Sequence, residues 1–79
     1  MKNSFNLEIL KTNKTLTKEE QNTFRLKFKP LLELDGIMSL CLEAKELYVE
    51  FDPALSNLDS FKQTLIETGF PLELDVVLV

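Results

Sequence analysis

Residues 35–53, DGIMSLCLEAKELYVEFDP, encode two strands and the turns that bound them. Asp35-Gly36 stops whatever precedes it, since Gly36 can take the left-handed conformation that an L side chain resists. In the run Ile37 to Glu43, Met38, Leu40 and Leu42 share one face and Ile37, Ser39 and Cys41 the other. Ala44-Lys45-Glu46 reads as a turn. Leu47, Val49 and Phe51 then alternate with Tyr48, Glu50 and Asp52, apolar inward and polar outward. Asp52-Pro53 closes the second strand, because proline cannot extend a ladder. Two short strands joined by a tight turn predict an antiparallel hairpin.

Upstream of the hairpin the period changes from two to 3.6. Phe24, Phe28, Leu31 and Leu32 fall on one face of a predicted helix. Thr17-Lys18-Glu19-Glu20 has capping-box form at its start. Pro30 lies inside the pattern and either kinks the helix or ends it at Lys29, with a short turn following. Earlier still, Lys11 to Leu16 reads as a polar loop. Before it, Phe5, Leu7 and Ile9 alternate with Asn6, Glu8 and Leu10 as a strand. Downstream, Ser56 or Asn57 can cap a second helix that carries Leu58, Phe61, Leu65 and Ile66 toward the core. Gly69 is its stop, with Pro71 beyond. Leu72, Leu74 and Val76, alternating with Glu73, Asp75 and Val77, predict a last strand. The order β-α-β-β-α-β predicts an α+β, ferredoxin-like fold: a four-stranded antiparallel sheet with two helices on one face.

The 79 residues fit one domain, with no repeat and no linker. The chain has no His, no Trp and one Cys. That removes disulfide frameworks, zinc fingers and imidazole-dependent triads. A net charge of −4 speaks against a nucleic-acid binder. The charge is uneven. Residues 1–30 carry +4, and residues 31–79 carry −8. No apolar run is long enough to span a bilayer, and no signal peptide is evident, so a cytoplasmic location without membrane insertion is expected.

Several of these segments together are similar to the heavy-metal-associated domain family. They are Asp35-Gly36-Ile37, then Leu47-x-Val49-x-Phe51-Asp52-Pro53, then Leu58-x-x-Phe61-x-x-x-Leu65-x-x-x-Gly69-Phe70. The family pattern has a helix-ending Gly-Val, a V-x-V-x-Y-D-P strand and a helix closing on Gly-Tyr. The resemblance covers about Leu31 to Phe70, roughly half the chain. It implies a ferredoxin-like scaffold used for carrying Cu(I) or another soft metal. It also implies an M-x-C-x-x-C metal loop between the first strand and the first helix, where two thiolates converge on one ion. Here that stretch, Lys11 to Glu20, reads KTNKTLTKEE, without Cys, Met or His. No metal ligand carries over to this sequence. Acylphosphatases share the element order, but they need an Arg and an Asn poised at a phosphate loop, and that pairing is missing.

The remaining features point to surfaces rather than chemistry. Cys41 is predicted on the open sheet face beside Ser39, with no basic neighbour to activate it. The thirteen carboxylates form no D-x-D-x-D-G arrangement. Lys11-Thr12-Asn13-Lys14-Thr15 precedes a helix but lacks the glycines of a phosphate loop. The candidate partner-binding residues are Lys18, Arg25, Lys27 and Lys29 of the first helix, with Val77 and Val79 of an apolar edge strand open to pairing. The expectation is a non-catalytic interaction module with no metal, no cofactor, and a protein partner or a second copy as its ligand. Two alternatives stand beside it: a metal-transport accessory that borrows a partner's thiols, and a small-molecule-sensing dimer.

Overall fold

The computed structural model describes residues 5–73. Its elements are β1 (Asn6–Lys11), α1 (Lys18–Phe28), a 3-10 turn (Pro30–Glu33), β2 (Ile37–Leu42), β3 (Glu46–Phe51) and α2 (Leu58–Thr68). The described residues form an α+β fold with a three-stranded antiparallel sheet in the order β1-β3-β2. The predicted fourth strand is therefore not seen as a strand here. Leu72 makes one antiparallel bridge to Thr12, and Glu73 N–H donates to the Lys11 carbonyl at 2.8 Å. The rest of that prediction, residues 74–77, lies outside the described residues.

Local rules account for each helix boundary. Thr17 Oγ1 accepts from Glu20 N–H at 3.1 Å, and Glu20 Oε1 accepts from Thr17 N–H at 2.9 Å. This reciprocal pair satisfies two donors that the first turn of any helix leaves unpaired. At the other end, Pro30 has no N–H to offer the carbonyl of Leu26 four residues back. That carbonyl accepts instead from Lys29 N–H, at 3.3 Å. The chain then tightens into the 3-10 turn, so α1 stops rather than bends. Leu31 is still half-buried, but Leu32 is exposed, because the α-helical spacing that put it in line with Phe28 no longer holds. In α2, Asn57 is the cap, accepting from Ser60 N–H at 3.2 Å. Phe61 and Leu65 are buried, whereas Ile66 is 39% exposed and does not reach the core.

Strand register assigns the faces. Leu10, Leu47 and Leu42 form one row across the sheet, and all three are buried. They join Val49, Phe51, Phe28, Phe61, Leu65 and Phe70 in a single core cluster, so both helices cover the same face. With Leu10 turned inward, alternation sends Leu7 and Ile9 outward. The more apolar phase of β1 thus lies on the face without helices, a choice that alternation alone left open. In β2 a register shift between Ile37 and Ser39 inserts one extra residue. The bulge lets Ile37 and Leu42 both point inward and leaves Met38 exposed. Phe70, following the left-handed Gly69, packs edge-on to Phe24 with centroids 5.2 Å apart and lies 5.5 Å from Phe28. Those contacts pin the end of α2 against α1.

Candidate functional site

Three surfaces compete for the functional role. The first is the β1–α1 segment, where the family resemblance would place a metal. Thr12 is the only buried polar residue among those described, at 8% exposure. Its N–H donates to the Lys45 carbonyl at 2.9 Å. Its hydroxyl lies against the carbonyls of Lys45 (3.1 Å) and Lys14. Asn13 N–H donates to the Pro71 carbonyl, and Leu16 N–H donates to the Ala44 carbonyl. Leu16 itself is buried. Lys14 Nζ donates to Glu20 Oε2 at 2.6 Å. The Lys14 ammonium and the Thr17 N–H together hold the Glu20 carboxyl below the ordinary glutamate range. The segment is thus a brace joining β1, the β2–β3 turn and residue 71. It presents no sulfur or imidazole donor, and its donor set does not fit a soft metal. Among the described residues, no three His, Cys, Asp or Glu side chains are placed to hold one metal ion.

The second surface is the cationic side of α1. At about 100° per residue, Lys18, Arg25 and Lys29 fall within about 40° of one another, and Lys27 lies on the opposite side. Arg25 is held in place. It donates to Asn22 Oδ1 at 3.0 Å, to Gln21 Oε1 at 3.3 Å and to the backbone carbonyl of Leu42 at 3.0 Å. Leu42 ends the edge strand β2, and its carbonyl faces away from β3. Arg25 therefore fastens α1 to the sheet and blocks part of an open edge. Lys27 Nζ sits 5.4 Å from the centre of the Phe24 ring. Lys18 and Lys29, at the two ends, are exposed. The four cations are split among three situations. Val77 and Val79, the other candidates, lie outside the described residues.

The third surface is the helix-free face of the sheet. Register sets three rows across it: Leu7 with Glu50 and Ser39, Ile9 with Tyr48 and Cys41, and Lys11 with Glu46 at the end. Leu7 is 62% and Ile9 46% exposed. Cys41 is exposed as predicted, its thiol 3.8 Å from Glu43 Oε2. Ser39 donates to Glu50 Oε1 at 3.3 Å, and Tyr48 donates to Glu46 Oε1 at 2.9 Å. That bond to a carboxylate pushes the Tyr48 phenol above its ordinary range. The rows line a shallow groove that includes Leu7, Cys41, Tyr48, Glu43, Glu46 and Glu50. The placement of Cys41 was legible from alternation. The gathering of Leu7 and Ile9 with three glutamates was not, because it depends on which phase of β1 faces the helices.

The class defined by these features is a small α+β domain with one covered and one open sheet face. Comparison with family models, with curated proteins and with solved structures finds no match to this chain. Among the described residues, no helix is long and apolar enough to cross a membrane.

Proposed function

We propose that the chain is a non-catalytic protein-interaction module on a ferredoxin-like scaffold of heavy-metal-associated type, without that family's metal site. The strand order supports the scaffold. With β1-β3-β2 in place, the Leu72–Thr12 bridge lies at the free edge of β1, where a fourth ferredoxin-like strand belongs. One observation carries the functional half. The segment that would hold a metal is engaged in bracing the fold, through Thr12, Leu16 and the Lys14–Glu20 pair. Without thiolate, imidazole or thioether there, soft-metal carriage has no first ligand. What is left to do the work is surface.

Titration of the full chain with Cu(I) against a coloured chelator tests this reading. The chelator is expected to keep the metal throughout. Transfer of one Cu(I) per chain would overturn the proposal.

A further inference from the structure

We infer that the helix-free face of the sheet is a docking site for a basic, partly apolar segment of a partner protein. This rests on the interaction-module reading and names the surface and the chemistry of its ligand.

Two features of the face point to that chemistry. One side of it is apolar: Leu7 and Ile9, on β1, stand exposed, with Ile9 beside Tyr48 and Cys41 across that ring on β2. Its groove is mainly acidic: Glu46 and Glu50 on the central strand β3, and Glu43 just past β2, line it with Lys45. Lys11 stands opposite Glu46 in its row, whereas Glu50 lies between Leu7 and Ser39 and Glu43 pairs with Glu46, so these two face no cation across the strands. Two of the three carboxylates are oriented, since Glu46 accepts from Tyr48 and Glu50 accepts from Ser39. Each keeps its second oxygen for another donor. A line of acids that outnumber their lysines, flanked by exposed apolar side chains, is complementary to Lys or Arg alternating with apolar side chains. A second copy docking face to face would set the same carboxylates against each other, which charge repulsion opposes. Nucleic acid is disfavoured by the same charge.

The test uses the full chain and three synthetic heptapeptides, alternating Val with Lys, with Ser or with Glu. Backbone amide shifts are followed by NMR at low salt. The Lys-Val peptide is expected to give saturable shifts at Leu7, Ile9, Cys41, Tyr48 and Glu50, with the Ser-Val peptide weaker and the Glu-Val peptide silent. Glu46→Gln and Glu50→Gln, which alter exposed side chains and leave the core intact, should each weaken binding about two- to fivefold. The effect should shrink as salt is raised. Equal response to all three peptides, no response to any, or shifts confined to α1 would overturn the inference. So would concentration-dependent shifts on this face without peptide, which would make a second copy the occupant. A surface mapped elsewhere overturns the inference and leaves the interaction-module reading standing, whereas Cu(I) capture overturns that reading whatever the peptides show.

Discussion

Gly36 and Gly69 hold almost the same backbone conformation, with φ of +87° and +96°, and replacing each by alanine separates two kinds of cost. An L side chain in the left-handed region costs roughly 1–2 kcal/mol. Alanine also narrows the unfolded ensemble, which returns about 0.4–1 kcal/mol. For Gly69 that is the whole account, because nothing lies within 4 Å of the position its Cβ would take. Gly69→Ala is therefore expected to lose about 1 kcal/mol. Gly36 is different. A Cβ there would lie 2.8 Å from Ser56 Cβ and 2.9 Å from both Leu55 Cβ and the Ser56 backbone nitrogen. Those atoms belong to the turn that follows β3, which is held by Ser56 N–H and Leu55 N–H donating to the Asp52 carbonyl. Asp52 N–H in turn donates to the Gly36 carbonyl at 2.7 Å. The turn cannot retreat without straining these bonds, so an overpacking cost of about 1–3 kcal/mol is added. Gly36→Ala should lose about 2–4 kcal/mol. For a domain of this size each kcal/mol shifts Tm by about 4–8 °C. The assay is thermal and urea unfolding of the two variants beside the parent. Equal losses at the two sites would refute the argument, since they would mean that the 52–56 turn yields without cost.

Other outcomes follow from the side-chain contacts. Arg25→Ala should destabilise by about 0.5–1.5 kcal/mol in urea unfolding, because the Leu42 carbonyl loses its charged donor. Lys18→Ala should stay within about 0.5 kcal/mol, and equal losses for the pair would remove the anchoring role of Arg25. Tyr48 is the only tyrosine and the chain has no tryptophan, so the near-ultraviolet titration reads one phenol. It should ionise above the ordinary tyrosine range, and Glu46→Gln should bring it down; an unchanged midpoint would deny the hydrogen bond. A phenol raised in the folded state stabilises the fold below its unfolded pKa, and that contribution is lost as pH rises through the folded value. Glu20 has the opposite sign. Its lowered carboxyl contributes stability above the unfolded glutamate pKa, lost as pH falls through the lower folded value. Carboxyl NMR titration should show this low midpoint moving up toward the ordinary range in Lys14→Ala, and no movement would reject the ion pair as its main cause.

The sequence by itself determined the features that depend on neighbours a few residues apart. Thr17 and Glu20 spell a helix start, Gly36 and Gly69 spell stops, and Leu47-x-Val49-x-Phe51 spells a half-buried strand, because caps, left-handed turns and side-chain alternation are local physics. The absence of a thiol between Lys11 and Glu20 was equally plain. Alternation cannot say which of its two phases turns inward, since a one-residue slip exchanges the faces of a strand. In β1 the sequence left both phases open, and pairing of Leu10 with the buried Leu47 turned Leu7 and Ile9 outward. The bulge in β2 belongs to the same class of outcome. So does the fate of Arg25, a free cation in the sequence and a clamp on Leu42 in the fold. Only the tertiary structure brought Leu7 and Ile9 beside Glu46 and Glu50, some forty residues away along the chain, because strand register and not local preference decides which distant side chains share a face.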